Sequence, residues 1–222
     1  MNIIILNGSP KPSGGNSAYL IECLKRIMEQ TSQDLHFTLL NIRNNLISEP
    51  DYQLFETCDA FIVATPVYYG GLPSHVMEQL VRLDDYFNGH KGIKSHARQN
   101  MRVYSLTNCG HFNGEDCSIA AEIVGLWAER CGFEYGMGAG FGGGEMLGMI
   151  TAVPFGRGPL KTPGKVMSAL SDAIITKTPH ENLFATPDYA RFIFMNNANM
   201  LMWEKRAKEN GITKKQMYYR VP

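Results

Sequence analysis

The chain has 222 residues, 44% of them hydrophobic and 19% charged, with 21 Lys+Arg against 21 Asp+Glu. That length suits one sizeable α/β domain with additions and falls short of two full domains. The balanced charge argues against nucleic acid as the main partner, because phosphate-backbone binding needs a basic excess.

The charge is unevenly spread: residues 151–222 carry 11 Lys+Arg against 5 Asp+Glu, and residues 1–150 carry 10 against 16. The basic part can meet the acidic part of a neighbouring subunit, attract an anionic cosubstrate, or simply form a solvated helix face. No stretch approaches the roughly 20 apolar residues that span a membrane. Met1 leads almost directly into an apolar strand, with no signal-type segment before it. Cys23, Cys58, Cys109, Cys117 and Cys131 are odd in number, scattered, and contain no C-x-x-C. That usage fits a reducing cytoplasm rather than a disulfide framework, a zinc ribbon or an iron–sulfur site, and the expected location is cytoplasmic.

In chain order, the apolar run Ile3–Leu6 predicts a strand buried on both faces. A loop of Gly, Ser, Pro, Lys and Asn follows. A helix is then predicted over Ser17–Gln30, with Leu20, Ile21, Leu24, Ile27 and Met28 on one stripe. Further strands are predicted at Leu35–Asn41, Ala60–Thr65, Arg102–Thr107 and Phe133–Gly138. Helices are predicted at Ser74–Phe87 and Ser118–Arg130, with a short one around Tyr52–Thr57. Residues 136–148 are glycine-rich, Pro154, Pro159 and Pro163 interrupt the next stretch, and two more helical segments follow at about Gly164–Thr176 and Thr186–Asn210. Strands alternating with helices imply a parallel sheet covered on both faces. Five strands match the size of the flavodoxin-like doubly wound sheet, order 2-1-3-4-5, whose ligands sit beyond the strand carboxyl ends. The expected division is a sheet domain over 1–150 and a helical extension over 151–222. The extension would pack on the same domain or on a second subunit, because the apolar residues Phe192, Ile193, Met200 and Trp203 form a surface too large to leave wet.

A strand, a glycine-rich loop and a helix N-terminus together make an anion site, where backbone N–H groups converge and the helix dipole adds about half a positive charge. The loop at 7–17, NGSPKPSGGNS, has neither G-x-x-x-x-G-K-[ST] nor G-x-G-x-x-G. It offers hydroxyl and amide groups from Ser9, Ser13, Asn16 and Ser17, with Lys11 as its one charge. Such a lining suits a single terminal phosphate, and Asn16 or Ser17 is also expected to cap the helix.

The loops after the third and fourth strands should face the same ligand. Pro66 stops the third strand, Val67 follows, and Tyr68 and Tyr69 then stand at its mouth. Gly70 lets backbone approach a flat heteroaromatic ring. After the fourth strand, Asn108 and the backbone near Gly110 can hydrogen-bond the polar edge of such a ring. Cys109 reads as packing and His111 as a solvated loop histidine.

These segments, NGSPKPSGGNS at 7–17 and DAFIVATPVYYGGLPSHVMEQLVRL at 59–83, resemble the NADPH-dependent FMN reductase family of flavodoxin-like oxidoreductases over about residues 1–135. The resemblance implies FMN as cofactor and NAD(P)H as cosubstrate. Ser9, Lys11, Asn16 and Ser17 would hold the phosphate, Pro66, Val67, Tyr68, Tyr69 and Gly70 would line the isoalloxazine, and Asn108 and Gly110 would stand at its other edge. The loop differs from the family pattern in its length at Pro12-Ser13-Gly14 and in having lysine where arginine is common. The implied activity passes electrons from NAD(P)H through flavin to a small acceptor such as a quinone, a nitro compound or free flavin. No catalytic side chain, metal or second redox centre is expected. The partners implied are that acceptor and a homodimer or homotetramer, without nucleic acid or membrane. The rival readings are a flavodoxin-type electron carrier and a flavin-free binding protein on the same fold.

Overall fold

Parallel pairing organises the whole sheet. The computed structural model describes residues 1–11, 14–43, 46–89, 99–144 and 146–219. Strands β1 (Asn2–Asn7), β2 (His36–Asn41), β3 (Ala60–Pro66), β4 (Arg102–Asn108), β5 (Glu134–Phe141) and β6 (Leu183–Ala185) form one six-stranded sheet in the order β2-β1-β3-β4-β5-β6. The helices are α1 (Asn16–Thr31), α2 (Glu49–Tyr52), α3 (Ser74–Asn88), α4 (Ser118–Arg130), α5 (Met146–Met149), α6 (Lys161–Thr176), α7 (Arg191–Asn197) and α8 (Glu204–Glu209). Two compact units result, Met1–Pro187 with the entire sheet, and Asp188–Pro222.

Alternation along the strands builds two cores. Ile3, Ile5, Ala60, Ile62 and Ala64 point to one face, where Leu20, Ile21, Leu24 and Met28 of α1 and Val166, Met167, Leu170 and Ile174 of α6 cover them. Ile4, Leu6, Phe61 and Val63 point to the other face, beneath Val76, Leu80, Leu83 and Phe87 of α3 and Val124, Trp127 and Ala128 of α4. β3, central and buried at every position, is the apolar run expected of a strand covered on both sides.

The five-stranded expectation is corrected to six strands. β6 is three residues long, too short to show a period. It pairs in parallel with the end of β5, Ala139 with Leu183, Gly140 with Phe184 and Phe141 with Ala185. The glycines of β5 account for that edge. A Cβ on Gly140 would lie 2.6 Å from both Cys117 Cβ and the Phe184 ring, and one on Gly136 would enter the Tyr104 ring. Gly136 is also the extra residue of a register shift, since Val103 pairs with Tyr135 and Tyr104 with Met137. Part of the glycine-rich segment is therefore strand, and β5 runs three residues beyond the predicted end at Gly138.

The predicted helix at 186–210 divides into α7, a π-helical stretch over Ala198–Trp203, and α8. Among the described residues no helix is long and apolar enough to cross a membrane.

Candidate functional site

Three loops meet at the carboxyl ends of β1, β3 and β4. The first leaves β1 through Gly8, whose N–H donates to Ala64 O at 2.8 Å. A Cβ here would strike Val76 at 2.5 Å and Thr65 at 2.9 Å, so only glycine lets the chain pass between β3 and α3. His75 Nε2 donates to Gly8 O at 2.9 Å. Asn7 Oδ1 accepts from Ser9 N–H at 3.1 Å, and Ser9 Oγ accepts from Lys11 N–H at 3.3 Å. Pro12 and Ser13 lie outside the described residues.

α1 begins differently from the expectation. Its N-cap is Gly15, with extended φ and ψ and no side-chain cap, so neither Asn16 nor Ser17 caps it. Both side chains are engaged elsewhere. Asn16 Nδ2 donates to Gly144 O at 2.6 Å, and Ser17 Oγ donates to Asn108 Oδ1 at 2.8 Å. The first turn of α1 thus presents its backbone N–H groups without a side chain from the chain itself to satisfy them.

Asn108 joins the three loops. Its side chain accepts from Ser17, and its carbonyl accepts from Val67 N–H at 2.7 Å. Beyond Val67, Tyr68 and Gly71 exchange two backbone hydrogen bonds of 3.0 Å each. The central residues of this turn have φ of 51° at Tyr69 and 82° at Gly70. Positive φ at both positions defines a primed turn, and it holds the Tyr69 ring fully in solvent.

Ser9, Lys11, Asn16, Ser17, Pro66, Val67, Tyr68, Asn108 and Gly110 line one cavity of about 150 Å³. Tyr69 and Gly70 are not in that lining; they form the turn tip beside Tyr68. Two lining residues escaped the sequence reading, Cys109 and Gly144. Gly144 belongs to the glycine-rich segment, folded back so that Gly143 N–H donates to His111 O at 2.7 Å. Its position after a predicted strand, like the other two loops, was the available signal. His111 is exposed and pairs with Asp116 at 3.1 Å. Lys11 is the one charged side chain among the lining residues, in a wall otherwise made of hydroxyl, amide and backbone groups. A Cβ on Gly110 or Gly70 would meet nothing within 4 Å, so these glycines open space rather than fill a packed contact.

Residues 1–94 match the NADPH-dependent FMN reductase family. The family match covers β1 to α3, hence the first two loops of the cavity, and ends before Asn108 and Gly144. No curated protein matches the sequence. Among solved structures, the Trp repressor binding protein of Bacillus subtilis is 16% identical, with a TM-score of 0.55 over 77% of this chain and 96% of that one. A flavodoxin of Streptococcus pneumoniae is 16% identical, with a TM-score of 0.54 over 80% of this chain and 100% of its own. An FMN-dependent NADH-azoreductase of Bacillus anthracis, in complex with FMN, is 10% identical, with a TM-score of 0.55 over 80% and 99%. These likenesses make the fold flavodoxin-like, with β6 added to the five-strand order.

Proposed function

We propose that the chain is an FMN-dependent oxidoreductase that takes reducing equivalents from NAD(P)H and passes them to a small acceptor such as a quinone, a nitro compound or free flavin. The observation that carries this reading is the cavity itself. Its wall combines an uncapped helix N-terminus, neutral donors and one lysine, next to a tyrosine turn. The family match over residues 1–94 and the FMN complex of the azoreductase with the same fold support FMN as the occupant.

The donor set fits the group. The N–H groups at the start of α1, with Ser9, Ser17 and Lys11, would hold a terminal phosphate where the helix dipole favours negative charge. Asn16 would contribute its backbone N–H, since its amide is spent on Gly144 O. At about 150 Å³ the cavity is smaller than the roughly 300–1,000 Å³ of a typical ligand pocket, so it suits the anionic end. Pro66, Val67, Tyr68, Tyr69 and Gly70 would then flank a planar ring at its mouth, with Asn108 and Gly110 at the opposite edge. Backbone N–H groups at Gly70 and Gly110 would stabilise negative charge on that ring. Bound FMN supplies the hydride and electron chemistry, and the protein supplies position and electrostatics. The reading places the protein, whose five cysteines are free, in a reducing cytoplasm and as a homodimer or homotetramer.

Titration of the apoprotein with FMN, followed by anaerobic addition of NADH or NADPH, tests the proposal. Quenched flavin fluorescence and a yellow complex bleached by either nucleotide are expected. A yellow complex inert to both supports the electron carrier, and a protein that does not take up FMN overturns the assignment.

A further inference from the structure

Cys109 and Cys117 lie in one small apolar cluster with Val67 and Ala120, apart from the two main cores. Several independent contacts bring the two residues together. Cys109 N–H donates to Phe141 O at 3.0 Å, and Cys117 Sγ lies 3.8 Å from the same oxygen. Cys117 rests over Gly140, whose missing side chain makes the room: a Cβ there would be 2.6 Å from Cys117 Cβ. Across the ladder, Gly140 pairs with Thr107 and Phe141 with Asn108, and Thr107 and Cys109 fall on one side of the strand end. The Cys109 thiol donates to Asn113 O at 3.4 Å, and the two cysteines pack side by side in this cluster.

Their environments differ in the way a redox pair requires. Cys109 is in the wall of the cavity, whereas Cys117 is wholly buried behind it. The neighbouring Cys117 thiol holds Cys109 below its ordinary value against the opposing effect of burial, and Cys117 is pushed up in turn. Burial raises Cys23, and it raises Cys58 to about 12. Thiolate character and access both select Cys109 for oxidation.

We propose that Cys109 and Cys117 are a redox-active dithiol at the wall of the cofactor cavity, oxidised to a disulfide by small hydroperoxides that enter the cavity. Cys109 sulfur attacks the peroxide: an S–O bond forms, the O–O bond breaks, and an alcohol or water leaves. Cys117 sulfur then displaces the hydroxyl from Cys109. The S–S bond forms, and the Cys117 proton leaves with that hydroxyl as water. Two thiols lose two electrons and two protons, and the hydroperoxide is reduced by the same two electrons. The chemistry needs no flavin, but an occupant of the cavity would cover Cys109.

Treatment of the 222-residue chain with one equivalent of tert-butyl hydroperoxide, then alkylation and peptide mapping, tests the proposal. Loss of two of the five free thiols, one cross-link joining the Cys109 and Cys117 peptides, and full recovery with dithiothreitol are expected. C117S should stop at a sulfenic acid on Cys109 that dimedone traps, and C109S should keep its four remaining thiols. Thiol loss at Cys23, Cys58 or Cys131 instead, or no loss in the wild type, overturns the dithiol. Repeating the reaction with excess FMN separates the two proposals. A cross-link formed equally fast with and without FMN keeps the dithiol and counts against the flavin site. A cross-link that forms without FMN and is slowed by it keeps both, whereas FMN uptake by a protein that forms no cross-link even without FMN keeps the flavin site and sinks the dithiol.

Discussion

Tyr69 carries a backbone conformation that its side chain does not repay in packing. It sits at φ 51° with its ring fully exposed, and a left-handed conformation costs a non-glycine residue roughly 1–2 kcal/mol. Strain of this kind persists where function holds it. Tyr69→Gly is therefore expected to stabilise the protein by about 1 kcal/mol, seen as a rise of roughly 2–4 °C in the thermal midpoint. The same variant should loosen FMN several-fold if the ring lies against the flavin. Asn16→Asp separates charge from shape at the other end of the cavity. A carboxylate is tolerated at a helix N-terminus, worth about 0.3–1 kcal/mol there, which largely offsets the lost bond to Gly144 O. The melting midpoint should move little, while a carboxylate beside a phosphate should cut FMN affinity at least tenfold, about 1.4 kcal/mol. Equal FMN affinity in the two proteins, measured by fluorescence quenching, removes the phosphate from this loop.

Among the elements, β5 and α6 show how glycine and charge fix an edge. Tyr104 lies over Gly136 and donates its hydroxyl to Ala173 O at 3.1 Å, and burial pushes its phenol up to about 12. Gly136→Ala should cost about 2–3 kcal/mol by driving a methyl group into the ring, whereas Tyr104→Phe loses one hydrogen bond, about 1 kcal/mol. Urea unfolding of both variants checks the order, and a milder effect of Gly136→Ala would show that the ring is free to move. α6 ends at Lys177, in the left-handed region at φ 52°, where its ammonium meets Asp59 Oδ1 at 2.8 Å and Asn100 O at 3.1 Å. Burial alone would raise the Asp59 carboxyl, but Lys177, Asn2 N–H and the N-terminal ammonium together hold it below its ordinary value. A depressed carboxylate contributes stability above its unfolded pKa of about 3.9, and that contribution is lost as pH falls through the folded value. Lys177→Ala should cost about 0.5–1 kcal/mol near neutral pH for this partly exposed pair. The gap from wild type should close in thermal melts as pH falls through the lowered folded value of Asp59. Lys177→Gly loses the same pair but relieves the backbone, so it should melt above Lys177→Ala.

At the scale of the whole molecule, legibility followed periodicity. The runs Ile3–Leu6 and Ala60–Thr65 announced buried strands, and the stripes from Leu20 to Met28 and from Ser74 to Phe87 announced the helices that cover them. Nine of the eleven candidate site residues share one cavity because strand ends in a doubly wound sheet gather their loops at one edge. What sequence did not disclose depends on tertiary partners. β6 exists because Gly140 leaves room for Phe184, Asn16 is drawn from a capping role by a carbonyl 128 residues away, and Cys109 acquires its setting from Phe141 and Cys117.

The two-unit division carries the last prediction. All cavity-lining residues, all six strands and both main cores lie within Met1–Pro187. The remaining unit has few buried apolar side chains and exposes Phe192, Met195, Met200 and Trp203, with 7 Lys+Arg against 3 Asp+Glu over residues 188–222. An apolar, basic surface of that kind suits association with a second, oppositely charged copy of the sheet unit better than it suits solvent. A chain ending at Pro187 should therefore fold with an unchanged two-state melt and take up FMN with full affinity. On the proposed assembly, the 222-residue chain should sediment as a dimer or tetramer and the shortened chain as a monomer. If the shortened chain keeps the full oligomeric state, the association belongs to the sheet unit; if it fails to fold, residues 188–222 are part of its stability rather than of its assembly.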